Sequence, residues 1–260
     1  MENNNNKEII ITKSSCGCGD DDEEKGYCCS SEIRSAIERV SMMVKAVNSK
    51  PGHDDDTDEL AVPLPPNSPV HHHHYIPTKP FLSLCNILVL QVLDKIGPTM
   101  AVLRQDVHQN IQRLEKVHEC DPTLYANVVE MVKKEVTQGL ARKGPSSTKA
   151  FLWLTRSLDF TVTLLEKLSS DEMMSMEQAV EEAYNITLKP WHRWISSAAF
   201  KVALKLVPDR EYFISLILAK DENYATLKEE MHTLILLLTP LLAHIHSILR
   251  FYGLDRLRAT

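Results

Sequence analysis

From residue 79 onward, hydrophobic residues recur every three to four positions almost without pause, the spacing that puts them on one face of an α-helix. FLSLCNILVLQVLDKI is apolar nearly all round and predicts a central buried helix, stopped by Gly97-Pro98. The next stretch carries two stripes. Leu103, Val107, Ile111 and Leu114 make a buried one, and Asp106, Asn110 and Arg113 make a polar one about 100° away. Asp121-Pro122 then opens PTLYANVVEMVKKEVTQGLARKG, predicted as one helix closing at Gly144. Ser146-Ser147-Thr148 caps the helix STKAFLWLTRSLDFTVTLLEKL. MEQAVEEAYNITLKPWHRWISSAAFKVALKLVP is broken at Pro190 and stopped by Pro208. REYFISLILAK and YATLKEEMHTLILLLTPLLAHIHSILRFYG follow, the latter with a kink expected at Pro240.

Upstream, Ser30 or Ser31 caps a helix with Ile33, Ile37, Val40, Met43 and Val44 on one face, an element that needs a partner. Between it and the main run lies PGHDDDTDELAVPLPPNSPVHHHHYIPTKP, which holds no sustained period and reads as a flexible insertion over residues 51–78. Residues 1–30 read as a disordered tail and residues 31–256 as one domain. No period of 20 to 50 residues marks a solenoid, so the pattern predicts an all-α bundle of about eight helices.

Composition sharpens this. Of 260 residues, 43% are hydrophobic, enough for a packed core, and most of the 13 prolines fall between Pro51 and Pro80, leaving the body nearly free of helix breakers. The net charge of -6 belongs to the first 80 residues, with 8 basic against 14 acidic; the remaining 180 carry 21 of each. A neutral body without a basic cluster argues against nucleic acid as a partner. The start lacks a secretory pattern, and the longest greasy stretch, Leu234 to Ile245, falls short of the ~20 residues a membrane span needs, so a cytoplasmic protein is expected.

Four of the six cysteines, Cys16, Cys18, Cys28 and Cys29, crowd into an acid run with nothing apolar to fold around. They read as part of a solvated tail, with lipidation, redox sensitivity and metal binding as the alternatives. His71 to His74 could bind metal adventitiously. No metal or cofactor is expected in the folded body, and neither a nucleophile–base pair nor a two-carboxylate arrangement is visible there, so an enzyme is not expected.

The candidate chemistry is a set of polar residues at an apolar seam. Lys149, Trp153, Phe160 and Leu164 share one helical face, and His192 stands between Trp191 and Trp194. Each has a commoner structural explanation: a solvated charge, a core tryptophan, a satisfied core histidine. Together they resemble a family. KPFLSLCNILVLQVLDKIG, DVHQNIQRLEKV, FLWLTRSLDF and LKPWHRWISSAAFKVALKLVPDR are similar, in that order and spacing, to the glycolipid transfer proteins, above all the plant members that act on glucosylceramide-type lipids.

The resemblance implies a two-layer all-helical fold enclosing a lipid chamber. It implies that Asp106 accepts the ceramide amide N–H and a sugar hydroxyl, that Asn110 and Arg113 bind the sugar, that Trp153 stacks on its ring, and that His192 donates to the amide carbonyl. Phe160, Leu164 and Phe200 would line the chain chamber, and Trp194 would rest on the membrane. The implied partner is a glycosphingolipid or other ceramide-based lipid, carried by a monomer in transient peripheral contact with membranes.

The chemistry suits these residues: an amide offers one donor and one acceptor, and a buried acid with a facing histidine satisfies both. A sugar's C–H face suits an indole and its hydroxyl rim suits Asn and Arg. Lys149 departs from the sugar-binding members, which commonly hold an uncharged residue there, toward the phosphate-binding ones, which hold a basic residue. Trp153 does not, since phosphate-binding relatives carry arginine in its place. Glycosylceramide is therefore expected first and ceramide 1-phosphate second, with a sphingolipid sensor that transfers little as the remaining alternative.

Overall fold

The computed structural model describes residues 31–48, 74–192, 194–220 and 222–258. The acidic tail with its four cysteines, most of the proline- and histidine-rich insertion, and the side chain of Trp194 lie outside that description. The described chain is helical, in the order α1 (Glu32–Asn48), α2 (Thr78–Cys85), α3 (Val92–Ile96), α4 (Ala101–Cys120), α5 (Val128–Thr137), α6 (Ser147–Ser170), α7 (Met176–Thr187), α8 (Trp194–Leu204), α9 (Arg210–Ile217) and α10 (Tyr224–Phe251). A π-helical segment, Asn86–Gln91, joins α2 to α3 without a break, so the described residues form nine helical bodies. The expected eight become nine because the stretch broken at Pro190 separates into α7 and α8.

Helices α1, α10, α6 and α7 pack side by side as one layer, while α2, its continuation and α4 lie against α1 and α6 as the second. The partner that α1 needs is α10. Ile33, Ala36, Val40 and Met43 are buried, and Ser31 caps the helix by accepting the Arg34 N–H at 3.0 Å while its own hydroxyl donates to Glu230 of α10 at 3.1 Å. Glu222 and Glu230 converge on Arg34, adding an ion-paired clasp between the start of α1 and the start of α10.

α10 is long and apolar enough to cross a membrane by composition alone. Here Leu227, Met231, Leu234, Leu238, Leu241, Leu242, Ile245, Ile248 and Leu249 make a buried stripe against α1 and α6, so it serves as a core helix. It continues through Pro240, which stands on the exposed side.

The central α6 touches both layers, and its start is fixed twice over. Ser146 accepts the Lys149 N–H at 3.1 Å, as its cap position predicts, and the Glu135 carboxylate takes the Ser147 and Thr148 N–H groups, each at 2.8 Å. Around α6 the core is close-packed, with Phe81 and Phe151 edge to face at 5.0 Å.

Three expectations are corrected. The helix predicted to run to Gly144 stops at Thr137, and it starts only at Val128, after a 3-10 turn over Leu124–Ala126. Its boundaries are set from outside. Asn127 Oδ1 accepts both the Val129 N–H of its own helix and the Ile76 N–H, while its amide donates to the His74 carbonyl. Gly139, at φ 66°, turns the chain away after the last helical residue. That same clamp draws residues 74–78 into the body: Ile76 and Thr78 are fully buried, so the end of the predicted insertion is packed structure. Leu103, expected in the buried stripe of α4, is exposed, because residues 101–106 lie entirely at the surface; burial begins at Val107 and continues through Ile111 and Leu114.

Candidate functional site

The polar stripe of α4 emerges where that helix leaves the surface and enters the body. Asp106 is exposed, Asn110 is buried, and Arg113 is half-buried one turn deeper. Arg113 Nη1 donates to Asn110 Oδ1 at 2.9 Å, which fixes the amide with its N–H₂ as the remaining donor. Although Asp106 reaches solvent, protein atoms around its carboxyl group partly displace water from it and raise its pKa above the ordinary value, opposed by the positive charge of Arg113. A carboxylate short of partners in such surroundings is a strong acceptor for an incoming N–H or O–H.

α6 packs along α4 and carries Trp153, half-buried, with Lys149 half-buried one turn before it. The loop after α7 brings His192 to Trp153, ring centres 5.3 Å apart and planes tilted by 30°. Tyr184, buried on α7, holds the histidine in place: its hydroxyl oxygen lies 3.2 Å from His192 Nδ1. Burial lowers the His192 pKa, with Arg156 adding in the same direction, so the ring is neutral at neutral pH. A neutral ring that accepts the Tyr184 O–H at Nδ1 carries its proton on Nε2, the tautomer in which Nε2 is a donor.

The structure therefore sets Asp106, Asn110 and Arg113 on one helix, and Trp153 with His192 on and beside the helix packed along it. The three chamber residues fare differently. Leu164 belongs to the buried core and Phe160 packs half-buried against it, while Phe200 of α8 stacks face to face on Tyr184, 3.4 Å between ring centres. None of the three lines the cleft of about 610 Å³ that opens between α6, α7 and α10. That cleft is bordered by Arg156, Asp159, Thr187, Trp191, Leu242 and His246, with His246 Nε2 2.8 Å from Asp159 Oδ2.

One residue at the site, Tyr184, was missed from the sequence, and Trp191 was named there only as a neighbour of His192, without a role. Tyr184 stands eight positions before His192, and only the turn at 188–192 folds the histidine back onto it. Trp191, adjacent to His192, lies with its ring 4.2 Å from the Arg156 guanidinium carbon. The spacing of Trp153 and Arg156, three residues on one helix, was the available signal for that group.

A family model described as Glycolipid transfer protein (GLTP) matches residues 76–219. The chain is 57% identical over 184 residues to Glycolipid transfer protein 3 of Arabidopsis thaliana, covering 71% of this chain and 78% of that one. It is 49% identical over 229 residues to Glycolipid transfer protein 2 of the same plant, covering 88% and 94%. Among solved structures, the GLTP-fold domain with which FAPP2 selects simple glycosphingolipids matches with a TM-score of 0.65 at 26% identity, over 72% of this chain and 90% of that one. Arabidopsis accelerated-cell-death 11, solved with a ceramide-1-phosphate, matches in fold with a TM-score of 0.69 at 17% identity, over 87% and 99%.

Proposed function

The chain belongs to the glycolipid transfer protein family, and from that premise we propose that it carries sphingolipids, glycosylceramides first, between membranes without breaking a covalent bond. The observation that supports this most is the pairing of Trp153 with a neutral, donor-ready His192 beside a helix bearing Asp106, Asn110 and Arg113. The acid takes the ceramide N–H and the histidine gives its Nε2–H to the amide carbonyl. The indole packs on the sugar's C–H face, and Asn110 with Arg113 serves the hydroxyls. A lipid lacking the amide leaves these groups unpaired, which is the source of selectivity.

The acyl chains would enter by parting the packing around Phe160, Leu164 and Phe200, regaining ~0.8 kcal/mol for each CH₂ buried. Free thiols at Cys85 and Cys120 fit a protein working in the reducing cytosol and meeting membranes only transiently.

Movement of fluorescent glucosylceramide between phosphatidylcholine vesicles tests the proposal. The wild-type protein is expected to accelerate it, and Trp153→Ala is expected to lower the rate about five- to thirtyfold, since stacking on an aromatic ring contributes roughly 1–2 kcal/mol. Tight binding without transfer would instead make the protein a sensor. Tyr184→Phe is expected to weaken glucosylceramide binding three- to tenfold, because loss of the hydroxyl frees the His192 tautomer; equal affinity in a direct titration would refute that role.

A second reading has its own support. Lys149 lies half-buried one turn before Trp153, a suitable place for a phosphate. Competition by ceramide 1-phosphate against labelled glucosylceramide decides which headgroup is preferred.

A further inference from the structure

Arg156 is an unusual group to find inside this protein. Its side chain is 2% exposed, yet its guanidinium makes no ion pair among the described residues. The two nearby carboxylates are engaged elsewhere: Asp159 with His246 at 2.8 Å and Asp255 with Arg256 at 4.0 Å. Arg156 instead donates from Nη1 to the Leu257 carbonyl at 2.7 Å and from Nη2 to the Asp255 carbonyl at 2.8 Å, about a hundred residues away in sequence. Its charged carbon lies 4.9 Å from the centre of the Trp153 ring and 4.2 Å from that of Trp191. Burial lowers its pKa to about 10, against the opposing fields of Asp159 and Asp255, so it remains charged at neutral pH.

A planar cation can do both jobs at once. Its N–H groups point outward in the plane, where the two carbonyls lie, and its faces stay available to aromatic rings. A lysine ammonium has no such plane and cannot bridge two carbonyls while lying flat against indoles. The cation also borders the cleft that holds Asp159, so a second acceptor is at hand if the carbonyls withdraw.

We propose that Arg156 is a positioning residue through which docking of residues 255–257 holds Trp153 and Trp191 in place and thereby sets the affinity for the sphingolipid headgroup. Three separate parts of the chain meet on one guanidinium: α6 through Trp153, the loop before His192 through Trp191, and the segment after α10 through its carbonyls. With the segment undocked, the guanidinium loses both neutral acceptors and turns toward Asp159, and both indoles lose the surface that orients them. The proposal rests on the headgroup site described above.

The test uses the full chain, a form ending at Leu254, Arg156→Lys, and the two changes combined. Each is read for glucosylceramide affinity by titration with phosphatidylcholine vesicles containing that lipid, and for tryptophan emission without lipid. The shortened form and Arg156→Lys are each expected to weaken affinity about tenfold and to shift the lipid-free emission in the same direction. The combined form is expected to be no weaker than either alone, because both act through one contact.

Multiplying losses in the combined form would overturn the proposal. So would wild-type affinity and emission in the shortened form, which decides the matter even if Arg156→Lys does not fold. A full-length protein that takes up no sphingolipid at all would instead refute the headgroup site, and the lipid-free emission spectra would still report whether the segment and the tryptophans are coupled.

Discussion

Asp106→Val is expected to lower glucosylceramide transfer about a hundredfold while leaving the melting temperature nearly unchanged. The loss has two parts of ~1–3 kcal/mol each: the bond from the ceramide N–H to a carboxylate disappears, and the N–H is then buried with no acceptor. Stability should hold because Asp106 is exposed and its pKa is raised in the folded protein. A carboxyl group with a raised pKa binds its proton more tightly folded than unfolded, so its ionised form opposes folding and its removal forfeits no stability.

The same shift gives a pH signature. As pH falls, Asp106 takes up its proton before an ordinary carboxylate does, so wild-type binding should begin to weaken above the usual carboxylate range. Asp106→Asn, weak but unable to titrate, should stay flat over that interval; a parallel decline in the two proteins would place the titration at His192 instead. Vesicle transfer with melting curves in one buffer series checks all of this, and wild-type rates in Asp106→Val would remove the residue from the site.

Phe151→Ala should be the costliest single truncation for folding, at ~4 kcal/mol. The ring is fully buried on the central helix and meets Phe81 of α2 edge to face, 5.0 Å between centres and 63° between planes. Truncation removes the apolar surface, the ring pair and the support of both layers at once, and leaves a hole that helices anchored at both ends cannot close. For a domain of this length the melting temperature should fall by roughly 10 °C. Phe151→Leu, which keeps most of the volume, should cost much less. A loss below 1 kcal/mol by denaturant titration would mean that the layers collapse onto the gap.

The helices were readable in the sequence because each carries its own signal. The caps at Ser146, Ser175, Asp209 and Asn223 all accept an N–H from their first turns, a local rule that depends on nothing distant. What was not readable depends on contacts between distant parts. The end of α5 follows from a glycine turn, and its beginning from Asn127 holding a strand-like arm fifty residues upstream. Leu103 fits the apolar period of α4, but periodicity cannot say where a helix runs past its neighbours into solvent.

The site shows the same division. Asp106, Asn110 and Arg113 are one helical stripe and could be grouped by spacing alone, whereas Tyr184 serves His192 only through the fold of the turn between them. The resemblance implied a place for Phe200 in the chain chamber, and its ring lies stacked on Tyr184. That stacking joins α7 to α8 across the turn between them, a contact that no local pattern encodes.

The pairing of α1 with α10 has a consequence for biosynthesis. Nearly two hundred residues separate the two faces, and ribosomes add roughly 5–20 residues per second. Ile33, Val40 and Met43 therefore emerge some 10–40 s before α10, the helix that packs most heavily on them, has been made. Until α10 leaves the exit tunnel the nascent chain presents a greasy surface to its surroundings, and a chaperone able to shield that surface should raise the yield of correctly closed protein.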